Sequence, residues 1–433
     1  MSKPTLAVIG SGIAGLSAAW LLRNKYQVTL FERHATPGMG AYAVNVGTNT
    51  RTGKAVTIDI PLRVITSGYY KELFNLYQTL GVNIERTDHS GAFFTHTGAD
   101  IFHYKTYTLG ERRFAFLNSP KRLSKQNISQ GMAAIKFFAE IKKVNLDSVT
   151  ELTFGEFLQQ WPHRQSAFID AVLMPMLSTI CTCDYDSVKQ YPATIIIGYL
   201  ACGVAKDGVW KATHGVADIV QRITQGYQVQ ANSHIQAIEF GDIETAPIKV
   251  IYTQDQQTKS QSQSFDHIVI ATQPQHAAPL IEAVDPQLAK HFKQIKFAKS
   301  SMVVHRDDSI YPRAWQDLSP VCYSVNQDLQ RPMATVCLNK SMPAVKDCLP
   351  VFQTWHPTTT IAADKTLADV TFERPVINFD TLKHIALIKN SMLKNNNRIW
   401  FCGSYLGEGI PLLEAGVQSS LFVASALGVH KPW

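Results

Sequence analysis

Residues 5–32 read TLAVIGSGIAGLSAAWLLRNKYQVTLFE and carry the strongest fold signal in the chain. An apolar strand leads into a glycine-rich turn, a helix follows, and a second apolar strand ends in an acid. Gly10 permits the tight turn, Gly12 lets the backbone approach a pyrophosphate, and Gly15 lets the helix pack closely on the strand. The stretch therefore predicts a Rossmann-type βαβ unit that binds a dinucleotide.

The same stretch predicts how the nucleotide is held. Ile13 and Ala14 open the helix, whose N-terminus offers unpaired N–H groups and a positive dipole end to the phosphates. Glu32 follows Gly12 at the interval of roughly 20 residues at which a carboxylate binds ribose hydroxyls. An acid at this position argues against a 2′-phosphate on the ribose.

Composition and charge limit the classes of protein that fit. The 433 residues are 45% apolar and 17% charged, which is typical of a globular protein of two or three domains. The net charge is +7, and no block of like charge reaches five residues, so nucleic acid is not an expected partner. A basic surface that meets anionic lipid headgroups stays open.

The cysteines and the apolar runs indicate a compartment. Seven cysteines do not form a disulfide framework, and Cys181 and Cys183 are too closely spaced for a zinc knuckle, so we expect reduced thiols and no metal. Export signals and spans of bilayer length are not recognisable. We expect a cytoplasmic protein that can touch the inner membrane face peripherally.

The segment after Glu32 favours FAD over NAD. Arg33 begins a loop that contains Gly38, Met39 and Gly40, and an alternating strand follows at residues 55–59. An NAD-dependent dehydrogenase would continue into further parallel strand–helix units. The interruption suits a flavoprotein in which a substrate domain is inserted into the nucleotide domain.

Glu32 with its glycine-rich loop resembles the flavin amine oxidase superfamily, which includes monoamine oxidases, phytoene desaturases and protoporphyrinogen oxidases. Residues 398–404, RIWFCGS, and the segment from Leu412 to Ala424 resemble that superfamily's closing motif. The resemblance implies that Gly403 and Ser404 lie beside the FAD pyrophosphate. It also implies that the helix opening at Leu412 and Leu413 points its N-terminus at the flavin ring, where it would stabilise negative charge.

Two middle segments resemble the same superfamily. Residues 228–238 resemble the strand whose backbone near Ile235 touches the adenine, and residues 265–272 resemble the strand that returns to the nucleotide domain at Ala271 and Thr272. Met39 separates two glycines that are usually adjacent, and Pro61 stands where many relatives have Gly. We expect a non-covalent FAD, because Cys402 lies on a strand one residue before Gly403.

A narrower resemblance is to predicted NAD/FAD-binding oxidoreductases related to the flavoprotein domain fused to plant cyclopropane fatty acid synthases. It covers most of the chain and rests on residues 58–64, 69–77, 80–82, 173–175, 210–215 and 400–403. It implies a lipid-like or fatty acyl substrate and a place in lipid metabolism.

The predicted fold class is α/β, with a Rossmann-type FAD-binding domain interleaved with an α+β substrate domain. We assign residues 1–60, 211–290 and 395–433 to the FAD-binding domain, and residues 61–210 and 291–394 to the substrate domain. Helices are predicted at 71–80 and 131–142, a strand at 300–305, and a solvated hairpin tip at 254–264.

Hydride transfer to a flavin asks the protein mainly for orientation and exclusion of water. Lys299 falls near the position where superfamily members hold a water against flavin N5, so it is the candidate catalytic residue. Tyr191, Tyr199 and Trp210 are candidates for lining a substrate cavity, although aromatic core residues have the same pattern.

Three functions stay open from the sequence. The first is an FAD-dependent oxidoreductase that acts on a small hydrophobic, lipid-like substrate. The second is an amine oxidase that releases hydrogen peroxide. The third is redox-neutral use of FAD, as in a fatty acid isomerase, or a non-catalytic flavoprotein. The electron acceptor and the oligomeric state are also left open.

Overall fold

A computed structural model describes residues 2–109, 112–116, 124–162, 167–202, 208–240, 246–255, 259–311 and 314–433. The strands are β1 Thr5–Ile9, β2 Gln27–Phe31, β3 Tyr42–Thr48, β4 Ala55–Ile60, β5 Ile84–Thr87, β6 Gly91–Thr95, β7 Asp100–Leu109, β8 Arg112–Phe116, β9 Val209–Ala212, β10 Gln228–Gln230, β11 Ser233–Glu239, β12 Ile248–Gln254, β13 Gln261–Phe265, β14 His267–Ile270, β15 Phe297–His305, β16 Val321–Val325, β17 Met333–Cys337, β18 Phe352–Trp355, β19 Thr366–Pro375 and β20 Ile399–Phe401.

The helices lie singly or in runs between these strands along the chain. They are α1 Ile13–Leu22, α2 Lys71–Thr79, α3 Lys125–Ile141, α4 Phe154–Gln160, α5 Met174–Cys181, α6 Tyr185–Gln190, α7 Ala193–Ala201, α8 Gly215–Ile223, α9 Pro274–Glu282, α10 Pro286–Gln294, α11 Leu338–Ser341, α12 Phe379–Met392 and α13 Leu413–Ala426. A π-helical turn at Ile169–Leu173 leads into α5.

A parallel sheet has the strand order β10-β2-β1-β14-β20. Its strands come from residues 5–31, 228–230, 267–270 and 399–401, which are distant in sequence. Every residue of α1 is buried, because α1 lies beside the sheet and also packs on α13. Ser17 Oγ donates to Ile13 O at 2.6 Å and lies 2.7 Å from Ser420 Oγ, which satisfies the hydroxyls between the two helices.

A small antiparallel sheet, β11-β12-β13, follows β10 directly. Within the polar stretch at 254–264, residue 254 ends β12 and residues 261–264 belong to β13, so the predicted hairpin is confirmed with a shorter tip, of which residues 256–258 lie outside the described part of the chain. This sheet carries Ile235 next to the edge of the parallel sheet.

The large sheet has the order β19-β15-β18-β17-β16-β6-β7-β8. The predicted strand at 300–305 starts earlier, at Phe297, because β15 pairs with β19 from Phe297 to His305. On one face, His305, Tyr311, Thr335 and Thr354 form a buried network in which the hydroxyls of Tyr311 and Thr354 lie 3.1 Å apart. Such a network satisfies polar groups inside an apolar core.

Helices α3 to α7 follow one another between β8 and β9. The predicted helix at 71–80 is confirmed as α2, whereas the helix predicted at 131–142 begins six residues earlier. The reason is a cap: the Ser124 side chain accepts a hydrogen bond from Asn127 N at 3.0 Å, so Gly131 lies inside the helix. In the described part of the chain, no helix is long and apolar enough to cross a bilayer.

Candidate functional site

A cavity of about 1720 Å³ lies between the parallel sheet and the large sheet. At one end it meets the carboxyl ends of β1, β2, β14 and β20, the edge at which open α/β sheets bind ligands. At the other end it is walled by β6, β7, β16 and the helices of the insertion. We call these two parts the dinucleotide end and the aromatic chamber.

The glycine turn after β1 is tightly packed at Gly10 and Gly15 and open to the cavity at Gly12. A Cβ at Gly15 would lie 2.0 Å from Gly10 O and 3.0 Å from Ala271 Cβ, so only glycine lets α1 pack against the turn and β14. Gly10 has φ +104°, a left-handed conformation that suits glycine. A Cβ at Gly12 would meet nothing within 4 Å, and Gly12 lines the cavity. The turn therefore presents bare backbone to a ligand.

Glu32 is fixed at the end of β2 by hydrogen bonds. Its Oε2 accepts from Ser11 N at 3.0 Å and from the Ser11 hydroxyl, and its Oε1 accepts from His34 N at 2.9 Å. The residue is 9% exposed and lines the cavity. The ring nitrogen Nδ1 of His34 also lies 3.1 Å from Oε1. The carboxylate is thus held at the dinucleotide end, in the place where ribose hydroxyls are expected.

Two helix N-termini reach the same cavity. Helix α1 begins after Gly12, and α13 begins after Leu412, and the residues at both starts line the cavity. The helices lie side by side because Gly416 admits Ile13: a Cβ there would come within 2.6 Å of the Ile13 side chain. Two positive dipole ends therefore face one cavity, which favours an anionic ligand.

The loop after β2 contacts the guanidinium of Arg63, a residue that follows β4 and lines the cavity. Met39 and Gly40 both have positive φ, and Met39 N donates to Ser11 O at 3.2 Å. Arg63 Nη2 donates to Met39 O, whereas Arg63 Nη1 has no hydrogen-bond partner among the described residues. Burial lowers the pKa of Arg63. A buried N–H group without a hydrogen-bond partner lowers stability. Arg63 therefore fits a site in which an acceptor atom of a bound ligand accepts a hydrogen bond from Nη1.

The structure brings nearly all of the predicted cofactor residues to the dinucleotide end. Those that line the cavity are Gly10, Gly12, Ile13, Ala14, Glu32, Arg33, Gly38, Met39, Gly40, Ile235, Ala271, Thr272, Gly403, Ser404, Leu412 and Leu413. Gly15 does not line it and instead packs against the turn and β14. Bare backbone at the turn, the carboxylate after β2 and the unpaired guanidinium together fit a dinucleotide.

The aromatic chamber is built from side chains of distant segments. Phe93 on β6 stacks on Tyr323 of β16 with ring centroids 4.5 Å apart, and Phe102 of β7 lies 6.2 Å from Phe93. Its other apolar lining residues come from the helical insertion, namely Phe138, Phe168, Val172, Met176, Tyr199 and Leu200. Burial raises the pKa values of Tyr199 and Tyr323, so both hydroxyls stay protonated donors.

The predicted substrate residues divide into two groups. Tyr199 lines the chamber, with its ring 4.8 Å from Tyr69. Tyr191 does not line the cavity: it ends α6 and is fully buried in the core. Trp210 does not line it either: it lies on β9, where Arg86 stacks over its ring at 4.9 Å.

The predicted catalytic residue Lys299 lies in the cavity wall on β15. Its side chain is 75% exposed, and its Nζ lies 3.6 Å from Glu373 Oε1. This pair marks a solvent-open rim of the cavity. An ion pair as exposed as this one contributes little to stability.

Basic side chains outnumber acidic ones around the cavity. The lining acids, among the residues described, are Glu32 at the dinucleotide end and Glu373 at the rim. Arg63 and Arg374 lie inside, and the Arg374 guanidinium donates to Ile180 O at 2.6 Å. Sequence reasoning missed both arginines and the Phe93–Tyr323 stack. Arg63 offered a signal, since it closely follows the apolar strand β4.

Metal chemistry has no site in the described part of the chain. No group of three or more His, Cys, Asp or Glu side chains comes together there as a metal-binding cluster. Cys402 is fully buried, and burial raises the pKa of its thiol. No cysteine lines the cavity among the described residues.

Comparison with known proteins agrees with this geometry. A family model described as an NAD(P)-binding Rossmann-like domain matches residues 8–80, from β1 through α2. No curated protein sequence matches the chain.

Solved structures match over almost the whole chain. Putrescine oxidase with bound putrescine has 11% identity and a TM-score of 0.62, covering 98% of this chain and 99% of its own. Cyclohexylamine oxidase from Brevibacterium oxydans IH-35A has 13% identity and a TM-score of 0.61, with coverage of 98% and 99%. The CLA-producing fatty acid isomerase from P. acnes has 14% identity and a TM-score of 0.63, with 98% of each chain covered.

At these identities the likeness shows a shared fold. The predicted fold class is confirmed: the chain is an α/β protein with a Rossmann-type domain in a flavin amine oxidase-like architecture.

Proposed function

We propose that this protein is an FAD-dependent oxidoreductase that takes a hydride from an apolar, lipid-like substrate. The observation that carries the proposal is the continuity of the cavity. Its volume of about 1720 Å³ exceeds the roughly 300–1,000 Å³ of a usual ligand pocket. One cavity therefore has room for a dinucleotide at one end and a substrate in the aromatic chamber.

The dinucleotide end supplies the binding groups that FAD needs. Bound FAD would supply the hydride acceptor. The N–H groups at the start of α1 would hold the pyrophosphate, and Glu32 would accept hydrogen bonds from the adenosine ribose. The N-terminus of α13 at Leu412 would stabilise negative charge on the flavin. Arg63 Nη1 would donate to an oxygen of the same cofactor.

FAD is favoured over a nicotinamide by the topology. After β2 the chain leaves the parallel sheet for the β3–β4 hairpin and the long insertion, and it returns only at β10. The architecture shared with putrescine oxidase and cyclohexylamine oxidase supports the same choice. No cysteine lines the described cavity, so we propose non-covalent binding.

The walls of the chamber favour an apolar or anionic substrate over an amine. Its lining is aromatic and aliphatic, the Arg374 guanidinium lies beside it where it donates to Ile180 O, and no carboxylate lines it among the described residues. An ammonium ion in such a place would lack a carboxylate partner and would carry a desolvation cost. The narrower family resemblance seen in the sequence supports a fatty acyl substrate.

Two other activities have support from the structural neighbours. Amine oxidases share the fold, which keeps peroxide release from an amine as the first alternative. A fatty acid isomerase also shares it, which keeps a redox-neutral reaction on an acyl chain as the second. The chamber's apolar lining suits the isomerase as well as the oxidoreductase.

We propose in addition that Lys299 acts at the flavin through a water molecule. Its place on β15 puts it in the cavity wall, although its ion pair with Glu373 equally suits a solvated rim. Lys299→Met should slow flavin reoxidation two- to tenfold, about 0.5–1.4 kcal/mol in the barrier, while FAD stays bound. Lys290→Met on α10 is the control, because Lys290 is exposed and does not line the cavity. Equal reoxidation rates for both variants would contradict the role.

The proposed function is tested in two steps. The purified protein should be yellow and should release free FAD on acid precipitation, with about one FAD per chain. The protein should then oxidise a fatty acid or phospholipid while an electron acceptor is reduced. Mass spectrometry detects the oxidised product. Peroxide from cyclohexylamine or putrescine would establish the amine oxidase instead. An acyl product without net electron transfer would establish the isomerase.

A further inference from the structure

Helix α3 exposes an apolar stripe that the described part of the chain leaves uncovered. Ile128, Met132 and Ile135 are 41%, 61% and 74% exposed. They recur at intervals of four and three residues, which places them on one face of the helix. Single exposed apolar side chains are ordinary, but a row of three on one helix forms an apolar patch, and such patches often mark interaction sites.

Lysines flank the stripe on both sides. Lys136 lies four residues beyond Met132, and Lys142 lies seven residues beyond Ile135, so both are near the stripe on the helix surface. Lys125 lies three residues before Ile128. The acid of this helix, Glu140, lies four residues beyond Lys136, on the side of that lysine away from the stripe, and it accepts a hydrogen bond from the Trp161 indole at 2.6 Å. Lysines beside apolar residues, with no acid between them, match an anionic lipid surface.

The opposite side of α3 belongs to the cavity wall. Phe137 is fully buried and Phe138 lines the aromatic chamber, whereas the stripe faces outward. A single helix therefore separates the chamber from the exposed stripe. A protein that rests on a bilayer by this face would hold its chamber next to the acyl chains.

We infer that α3 is a peripheral docking surface for anionic bilayers, in which Ile128, Met132 and Ile135 enter the headgroup region and the flanking lysines contact lipid phosphates. The inference does not need the proposed function, because docking requires neither hydride transfer nor a particular substrate. A helix lying in the interface explains both the uncovered apolar face and its lysine border.

Vesicle flotation of the full chain tests the inference. Vesicles of phosphatidylcholine alone and of phosphatidylcholine with phosphatidylglycerol are compared at low and high salt. We expect flotation with the anionic vesicles and weaker flotation at high salt, because salt screens the lysine contacts. Absence of the wild-type protein from floated anionic vesicles would overturn the inference.

Two double variants test whether the docking surface lies on α3. Met132→Glu with Ile135→Glu should lower the partition coefficient on the order of 100-fold, because both apolar contacts are lost. Lys136→Gln with Lys142→Gln should lower it roughly 30-fold on anionic vesicles. The matched control is Leu349→Glu with Leu393→Glu, at residues 58% and 61% exposed in other parts of the fold. Flotation of the stripe variant equal to that of this control would contradict the placement on α3.

Two further measurements separate membrane docking from misfolding and from dimer formation. The thermal unfolding midpoint and the FAD content of every variant should equal those of the wild type, which excludes misfolding. Analytical ultracentrifugation tests for a second copy of the chain as the occupant. If the wild type is a dimer, the stripe variant is a monomer and neither floats, the stripe is a subunit interface and the membrane inference fails.

Discussion

The two ends of the cavity are built in different ways. At the dinucleotide end the wall is backbone and small residues, brought together because β1, β2, β14 and β20 end at one edge of the parallel sheet. In the aromatic chamber the wall is large side chains such as Phe93 and Tyr323, which come from distant parts of the sequence. The first end is specified by local spacing and the second by tertiary packing.

This difference bears on what each end can tolerate. A wall made of backbone is disrupted when a side-chain atom is introduced where two backbone segments lie close together, as at Gly15. A surface of side chains can be reshaped one residue at a time, because each side chain can change size without moving the strand that carries it. Changes where the backbone passes close to itself should therefore affect folding and FAD binding together, and changes in the chamber should affect substrate alone.

The largest effect is expected at the glycine turn. Gly15→Ala puts a Cβ 2.0 Å from Gly10 O, a backbone atom that cannot move aside, so we expect a loss of about 3 kcal/mol or more in the free energy of unfolding. Urea unfolding measures it. The control Gly198→Ala lies in α7, where a Cβ meets nothing within 4 Å, and it should gain about 0.5–1 kcal/mol. Equal stabilities of the two variants would refute the close packing of α1.

The large sheet behind the chamber should respond to acid through His305. Burial lowers the pKa of His305 to about 4, against a partial opposing effect of Asp307. The folded state keeps the ring neutral, whereas the unfolded chain takes up a proton below about pH 6.5. The free energy of unfolding is therefore unaffected by this residue's titration above about pH 6.5. It decreases by a total of about 3 kcal/mol as the pH falls to about 4.

Urea unfolding of His305→Gln across the same pH range isolates that residue. Thr354 Oγ1 lies 2.8 Å from the His305 ring nitrogen, so the variant is less stable at neutral pH, but its stability should fall less steeply with acid. His356, whose pKa burial also lowers to about 4, contributes equally to both proteins and cancels in the comparison. Parallel pH curves for the two proteins would contradict the assignment.

Glu32→Gln should weaken FAD binding without unfolding the protein. A hydrogen bond to a charged group contributes about 1.5–3 kcal/mol, so the dissociation constant should rise about ten- to a hundredfold. Quenching of flavin fluorescence on titration measures it. Asp59→Asn is unsuitable as a control because Asp59 caps α8 through Val216 N, whereas Glu239→Gln changes an exposed carboxylate outside the cavity. An unchanged FAD affinity in Glu32→Gln would mean that the carboxylate does not bind the ribose.

The smallest effect, and the sharpest separation of the two ends, is expected from Met176→Trp. Met176 lines the chamber and is only partly buried, so a larger side chain can extend into the open space. FAD affinity should stay unchanged while the substrate KM rises about tenfold, or about 1.4 kcal/mol. Gly12→Ala should do the reverse, since its methyl group projects into open space at the dinucleotide end. Loss of FAD from Met176→Trp would show that the two ends are not independent.

Most of the fold was predictable because its signals are local. The βαβ unit, the strand after residue 54 and the hairpin around residues 254–264 are each indicated by a few neighbouring residues. The start of α3 at Lys125 was missed because a single serine cap outweighed the glycine at 131. The start of β15 at Phe297 was missed because pairing with β19, some 70 residues later, extends the strand.

The site was predictable to the extent that backbone position determines it. Gly12, Glu32 and Leu412 reach the cavity because strand ends and helix starts fix where they lie. In the sequence, Tyr191 and Trp210 have the same aromatic pattern as Tyr199. Of these three residues, Tyr199 alone lines the chamber. Whether an aromatic residue faces a cavity or a core depends on contacts that no short stretch of sequence contains.

Anaerobic titration of the flavin tests the central claim most directly. The purified holoprotein is mixed with a long-chain fatty acid, a phospholipid or a primary amine in the absence of oxygen, and the visible flavin absorbance is followed. The account predicts that an acyl compound bleaches the flavin and that the amine does not, because the chamber is apolar and no carboxylate lines it among the described residues. Bleaching by the amine alone, or a protein that binds no FAD, would contradict it.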